Sequence, residues 1–194
     1  MFCDDIELYK TDGIQATTYP WNILLSGAPD AVGLQQIIDD NTLETRAKIL
    51  AYRQLFSIGY SIEKKELLAV IVEVGLDAGL DVVASFKDGT ARYINQTGKM
   101  IIWETAEETA AALTEELFTN CLPIIKQTGA WDKPRRPYPA NGIARITFLV
   151  SDGLYFGEAP INVLFNDSLA KPALLSATAL MQFLTERVLA TASN

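Results

Sequence analysis

The sequence contains no histidine. This absence excludes Ser-His-Asp and Cys-His mechanisms, and it excludes zinc or iron sites that rest on imidazole ligands. Catalysis would have to use carboxylate, lysine, tyrosine, hydroxyl or thiol groups, or a hard metal ion held by carboxylates. No short-spaced ligand pair and no glycine-rich loop between a strand and a helix occurs, so we expect neither a metal nor a cofactor.

Cysteine is almost absent as well. Cys3 and Cys121 are the only two, so the chain could form one disulfide at most. Cys121 falls on the apolar side of a helical pattern, which indicates a buried thiol. Cys3 could be exposed, but no neighbouring residue is basic enough to lower its pKa and make it reactive.

Long apolar runs are missing. The longest, residues 67–80, is interrupted by Glu73 and Asp77 and is too short to span a bilayer. The first residues, MFCDDIELYK, carry acids where a signal peptide needs a basic start and an apolar stretch. We therefore expect a cytoplasmic protein.

Positive charge is scarce. Sixteen lysines and arginines against 24 acidic residues leave a net charge of −8. Such a chain repels nucleic-acid phosphates and anionic lipid surfaces, so we expect neither nucleic acid nor a membrane as partner. The apolar share of 49% and the length of 194 residues are typical of one globular domain, which we place at residues 1–194.

The first half of the sequence changes from a helical period to a strand period. A helix is predicted at residues 30–39, and a second follows the capping-box spacing of Asn41 and Glu44 and stops near Gly59. Four strands are then predicted, at residues 67–76, 80–87, 90–95 and 99–104. Their short links, including the turn dipeptide Asp88-Gly89, allow only an antiparallel meander.

The second half repeats this alternation. Thr105 and Glu108 suggest a cap for a helix with apolar positions at Ala106, Ala110, Leu113, Leu117 and Cys121, and Pro123 should kink or end that helix. Strands at 143–150 and 154–158 flank the turn Asp152-Gly153, and 161–165 extends the second strand. A final helix starts near Pro172 and buries Ala173, Ala177, Leu180, Leu184 and Val188.

This order predicts an α+β fold. A four-stranded meander plus a second hairpin forms a mainly antiparallel sheet, which packs against helices in two layers. The glutamate-rich helix returns the chain to one edge of the meander. The second face of the strands is more apolar than contact with water requires, so either helices cover both faces, or a sheet face or edge pairs with a second copy. We expect a homodimer.

The stretch GAWDKPRRPYPANG (129–142) is the first candidate site. Three prolines keep it extended and outside a central strand, and its guanidinium groups can bind carboxylate or phosphate. Its candidate binding residues are Trp131, Lys133, Arg135, Arg136 and Tyr138. The alternative is an ordered connector whose arginines pair with the glutamates of the preceding helix: Glu107, Glu108, Glu115 and Glu116.

The second hairpin is a weaker candidate. Asp152, Tyr155 and Glu158, with Asp167 beyond them, could supply carboxylates for acid–base work or Mg²⁺. The alternative is that Asp152-Gly153 is only a tight turn. Since alternate strand residues face opposite ways, Tyr155 and Glu158 should share a face only if Gly157 forms a bulge.

Two functions follow from these candidates. The first is a binding or adaptor module without catalysis, in which Arg135 and Arg136 hold the acidic group of a protein or small ligand. The second is a histidine-independent hydrolase or transferase for an anionic small molecule. It would use Asp152, Glu158 or Asp167 with Arg136 or Arg145, and it requires these groups to converge in one cleft.

Overall fold

A single antiparallel sheet organises the part of the chain that the computed structural model describes, which is residues 4–10, 17–28, 30–62, 64–105 and 107–192, with side chains as far as residue 187. The strands are β1 (Leu67–Leu76), β2 (Gly79–Phe86), β3 (Ala91–Ile94), β4 (Met100–Trp103), β5 (Ile143–Val150) and β6 (Gly153–Pro160). The helices are α1 (Trp21–Leu24), α2 (Ala31–Asp39), α3 (Thr45–Ser57), α4 (Glu108–Gln127), α5 (Ile161–Asn166) and α6 (Ala170–Ala192). A 3₁₀ helix (Ile6–Tyr9) precedes them. The α+β class is confirmed.

The strand order is β4-β3-β2-β1-β5-β6, with every neighbouring pair antiparallel. The four meander strands follow from their turns, in which Gly89 and Gly98 adopt φ values of 84° and 82° that favour glycine. After the meander, α4 carries the chain back to the free edge of β1, where β5 pairs with it. The second hairpin therefore extends the meander, as the sequence predicts.

The two faces of the sheet are covered by different elements. We call the side toward α4 and α6 the helical face, where Val72, Phe148 and Tyr155 pack with Leu117 and Leu180. The opposite side is the loop face, which carries these apolar residues: Ala69, Ile71, Phe86, Leu149, Leu154 and Phe156. The loop face is covered by α3, through Ile49 and Tyr52, and by residues 129–142. The sequence predicts two layers. The structure has three, because both faces of the sheet are apolar and each is covered.

The start of α3 is capped by the β2–β3 turn. The Thr45 N–H donates to Asp88 Oδ2 at 2.6 Å, and the Asp88 N–H donates to Thr45 Oγ1 at 3.0 Å. Burial acts to raise the pKa of Asp88, but hydrogen bonds from Thr45 and Thr90 lower it below its usual value. The predicted cap at Asn41 is wrong because this more distant carboxylate satisfies the helix N-terminus.

Residues 161–165 form the helix α5 instead of the predicted strand. Ile143, the first residue of β5, pairs with Pro160, so no β5 residue remains to pair with Ile161. The Ile161 N–H donates to the Gly142 carbonyl at 3.0 Å as the chain turns away. A short apolar run fits helix or strand equally well, and the end of its partner strand decides here.

The predicted Thr105 cap of α4 is wrong, and Pro123 does not end the helix. The N-cap is Glu107, which makes no side-chain capping hydrogen bond and pairs with Arg187 of α6. The helix runs past Pro123 to Gln127. Pro123 cannot donate to the carbonyl of Thr119, four positions before it. Both residues are exposed, so water can satisfy that carbonyl.

The apolar positions of the two long helices are where the sequence predicts them. Ala110, Leu117 and Cys121 of α4 are buried, and Leu113 is half-buried; Ala173, Ala177, Leu180 and Leu184 of α6 are buried. Burial raises the pKa of the free Cys121 thiol, so it is not a ready thiolate. The predictions for Cys3, Ala106 and Val188 lie outside the described residues or side chains.

Residues 129–142 lie across the loop face of the sheet. The Trp131 N–H donates to the Leu154 carbonyl of β6 at 2.7 Å, and its ring contacts Phe156 edge-on at 5.0 Å. At the other end, the Gly142 N–H donates to the Gly75 carbonyl of β1 at 2.9 Å. The loop thus passes over β6, β5 and β1 and is fixed at both ends.

None of the helices in the described residues is long and apolar enough to cross a membrane.

Replacement of Gly75 by alanine tests how tightly the loop is held. An added Cβ would clash with the Ala140 carbonyl and lie 2.6 Å from the carbonyl oxygen of Pro139. We expect Gly75→Ala to lower the free energy of unfolding by about 1–3 kcal/mol, the usual cost of overpacking. Gly157→Ala is the matched control, because a Cβ on this β6 residue meets no atom within 4 Å. Equal urea midpoints for both variants would contradict the close approach.

Candidate functional site

Three charged side chains form a row across the loop face. In the sheet register Glu73 of β1 lies opposite Arg145 of β5, which lies opposite Glu158 of β6. Arg145 Nε donates to Glu158 Oε2 at 2.7 Å, and Arg145 Nη1 lies 3.6 Å from Glu73 Oε2. The Arg145 and Glu73 side chains are each only 5% exposed. Buried charges of this kind persist only when paired, so the row is a fixed element of the fold.

Arg145 also binds the backbone of the 129–142 loop. Its Nη2 donates to the Pro137 carbonyl at 2.6 Å, and its Nη1 donates to the Arg136 carbonyl at 3.3 Å. The Arg136 side chain turns back to Glu158, with Nη1 3.0 Å from Oε1. One guanidinium group therefore sets the path of the loop and the position of the arginines on it.

Arg135 points to the other side of the loop, toward α3 and the start of the described chain. Its Nη2 donates to Asp4 Oδ2 at 2.7 Å, and Arg53 Nη2 of α3 lies 3.6 Å from the same oxygen. The Asp4 side chain is 6% exposed. Burial lowers the pKa of Arg135, while the Asp4 and Glu73 carboxylates oppose that shift. A carboxylate is therefore held between two guanidinium groups from different elements.

These groups line an open groove of about 590 Å³, which we call the arginine groove. Its walls are residues 4–8, α3, the first part of the 129–142 loop and β6. Its lining residues are Asp4, Asp5, Ile6, Leu8, Leu50, Arg53, Gln54, Ser57, Trp131, Lys133, Arg135 and Leu154. The Lys133 ammonium lies 5.6 Å from the centre of the Trp131 ring, and the indole N–H donates to the Pro134 carbonyl at 3.0 Å.

The predicted loop site is therefore only partly assembled. Trp131, Lys133 and Arg135 share the arginine groove, and Arg136 lies beside it on Glu158. Tyr138 is 77% exposed and does not line the groove, so the structure does not bring this candidate residue into one cleft with the arginines. It follows Pro137, whose carbonyl Arg145 holds, and its ring extends into solvent.

The expected partners of the arginines are also different. Of the four glutamates on or next to α4, Glu107 pairs with Arg187 and Glu116 accepts a hydrogen bond from Ser176 at 3.2 Å. Both contacts tie α4 to α6 on the helical face. The arginines pair with Asp4 and Glu158 because the loop crosses the opposite face of the sheet.

The second candidate site separates into two places. Tyr155 lies on the helical face, where its hydroxyl donates to Asp152 at 3.0 Å and accepts from Lys65 at 2.7 Å. Glu158 lies on the loop face beside Arg145, and β6 has no register shift at Gly157, so the alternation holds. The hydrogen bonds to Tyr155 and Asp152 raise the pKa of Lys65, which makes it a cation and not a base.

Asp167 has a structural role at a third place. Its Oδ1 accepts hydrogen bonds from the N–H groups of Leu169 and Ala170 at 2.9 and 2.8 Å, which caps α6. The carboxylates at 152, 158 and 167 do not converge, so the condition set for the hydrolase or transferase is not met. Within the described residues no three His, Cys, Asp or Glu side chains stand together as metal ligands.

A second cavity lies on the helical face between α6 and the strands β1 to β3. Its volume is about 170 Å³, and its walls are almost entirely apolar, including Val74, Phe165 and Met181. Asp81 and Tyr93 are its main polar residues, and the Tyr93 hydroxyl donates to Asp81 at 3.1 Å. This cavity contains no cation, so it does not compete as an anion site.

Some residues of the site cannot be identified from local patterns in the sequence. Asp4 lies 131 positions before Arg135, and Arg53 belongs to an ordinary helix, so no local pattern connects them. Glu73 and Arg145 do leave a signal. Each is a charge at an inward-facing position of an apolar strand, and such a residue requires a partner in the core.

Replacement of Glu73 by glutamine tests the cost of its burial. Burial raises the pKa of Glu73, while Arg145 and Arg135 oppose the shift and Glu158 adds to it. Below the unfolded-state pKa of about 4.3 both chains are neutral here. As the pH rises through the higher folded-state pKa, ionised Glu73 should lose stability relative to the glutamine variant, by about 1.4 kcal/mol per unit of pKa difference.

Urea unfolding from about pH 4.5 to about pH 8 measures this difference. Glu115→Gln is the control, because Glu115 is exposed on α4 and its replacement reports the general effect of one lost charge. A Glu73→Gln advantage that shrinks as the pH rises would mean that the arginines stabilise the charge more than burial penalises it.

Comparison with protein-family models, with curated proteins and with solved structures finds no match to this chain. The function has to be inferred from the geometry of the site.

Proposed function

We propose that the chain is a binding module without catalysis, which takes the anionic group of a ligand in the arginine groove. The observation that carries this proposal is Asp4. Its carboxylate is almost fully buried between Arg135 and Arg53, at the wall of a groove with room for a ligand. Because the two arginines bind a carboxylate of the chain itself, they can bind the carboxylate or phosphate of a ligand in the same way.

The charges around the groove support an anionic ligand. Four guanidinium groups, on Arg53, Arg135, Arg136 and Arg145, lie at or beside the groove with four carboxylates, on Asp4, Asp5, Glu73 and Glu158. Lys133 adds another cation to the groove wall. In a chain with a net charge of −8, this region therefore has one more positive than negative side chain, which favours an anionic ligand.

The shape and the remaining walls support a ligand that is more than a bare ion. A volume of about 590 Å³ falls within the range of ligand sites in proteins. Trp131, Leu50 and Leu154 provide aromatic and aliphatic surface next to the cations. The ligand that fits best therefore carries a carboxylate or phosphate on a partly apolar body.

Binding is favoured over catalysis by the same geometry. The chain has no histidine, and the Cys121 thiol is buried on the helical face. The carboxylates of Asp4 and Glu158 are each held by arginines, so they already serve as structural partners. The cytoplasmic location expected from the sequence belongs to this proposal as well.

Calorimetric titration with succinate and with inorganic phosphate tests the proposal on the wild-type and Asp4→Asn chains. Arg53→Ala should weaken binding about tenfold or more, because a charge-assisted hydrogen bond contributes about 1.5–3 kcal/mol. Lys99→Ala, in the distant β3–β4 turn, should leave the affinity unchanged. If neither probe binds either chain, or if Arg53→Ala and Lys99→Ala behave alike, the proposal is wrong.

A homodimer is also part of the proposal, and β4 supports it. This short strand lies at the edge of the sheet, and its Met100 and Ile102 side chains are 53% and 49% exposed. An edge strand with exposed apolar side chains can pair with its copy in a second chain. Sedimentation velocity should give twice the chain mass of 21.3 kDa, and Ile102→Lys should halve it. A wild-type chain that sediments as a monomer at all concentrations would exclude the dimer.

A further inference from the structure

Residues 4–9, with the sequence DDIELY, lie against the arginine groove as a surface-bound peptide. The 3₁₀ helix that they form has no buried residue. Asp4, which comes before this helix in the segment, is buried, since its side chain is only 6% exposed. The most buried point of the segment is thus a carboxylate on two arginines.

The segment adds apolar contacts at fixed distances from that carboxylate. Ile6 packs against the cluster formed by α1, α2 and α3, and Tyr9 stacks on Trp21 with ring centres 5.3 Å apart. Leu8 lies at the wall of the groove and is 67% exposed. A carboxylate followed two residues later by an aliphatic side chain is therefore the pattern that this surface holds.

One cation of the groove, Lys133, has no ionic partner in residues 4–9. Among the described residues no carboxylate forms an ion pair with Lys133, whose ammonium lies over the Trp131 ring at 5.6 Å. The other two acidic side chains of the segment are used locally, since Asp5 accepts from the Glu7 N–H and Glu7 pairs with Lys10. A peptide whose second acidic side chain reaches Lys133 would gain an interaction that residues 4–9 leave unmade.

We infer that the ligand of the arginine groove is an acidic peptide segment of a protein partner, whose carboxylate replaces Asp4 on Arg135 and Arg53. Residues 4–9 are the resident segment that this peptide displaces. The inference rests on the proposed function and names its ligand class. It also implies that the resident lowers the apparent affinity for the partner, because only the fraction of chains with a vacated arginine pair can bind.

The test uses a fluorescein-labelled synthetic peptide DDIELY and the full chain. Fluorescence anisotropy should show at least tenfold tighter binding to Asp4→Asn than to the wild type, since the variant loses the ionic contact that holds its own segment. Glu115→Gln is the matched control. It also removes one negative charge, from an exposed position on α4 outside the groove. It should bind like the wild type.

A second peptide, NNIQLY, identifies what is recognised. It carries amides in place of the three carboxylates and should bind Asp4→Asn at least tenfold more weakly than DDIELY. Adding Arg53→Ala to Asp4→Asn should weaken DDIELY by a similar factor. Equal binding of DDIELY to the wild type and Asp4→Asn, or equal binding of the two peptides, would overturn the inference.

Titration with the small anions distinguishes a failure of this inference from a failure of the proposed function. If succinate or phosphate binds Asp4→Asn but DDIELY does not, the groove is an anion site for small molecules and the peptide class is wrong. If neither the anions nor the peptide binds Asp4→Asn while its thermal unfolding matches that of the wild type, the proposed function fails as well.

Discussion

The guanidinium group of Arg145 is the interaction on which the loop face depends. Buried on β5, the strand next to the sheet edge, it must satisfy its donors without water, and it does so with the Glu158 carboxylate and two carbonyls of the 129–142 loop. Removing one partner of a buried ion pair generally costs several kcal/mol. Arg145 therefore requires the loop to cross β5 at one place, and a charge in the core positions a surface segment.

The arginine groove is a consequence of that crossing. Once the loop lies over Arg145, its next side chains are directed to opposite sides, Arg136 to Glu158 and Arg135 to Asp4. The capping contact between Thr45 and Asp88 fixes the start of α3 against the meander, so Arg53 approaches from the facing wall. Residues 4–8, α3 and the loop thus meet beside β6 to form the groove, and each is held by its own polar contact with the rest of the chain.

Most of the fold could be predicted from the sequence because its signals are local. The strand period, the Asp88-Gly89 turn and the helical stripes depend on residues within a few positions of each other. The site could not, because its contacts join distant segments. As an ordered connector, the loop would pair Arg135 with the preceding helix, yet its partner is Asp4. The prolines predict an extended segment outside the central strands, and such a segment can equally lie on a sheet. The inward charges at Glu73 and Arg145 were the one usable clue.

The strand order has a consequence for valency. The arginine groove lies at the β5–β6 end of the sheet and the exposed edge strand β4 lies at the other, with β6 and β4 about 24 Å apart for five strand spacings. Two chains joined through β4 would keep both grooves open and far apart. Such a pair could engage two sites on one partner, and the second contact would be intramolecular, so avidity could offset a modest affinity at each groove.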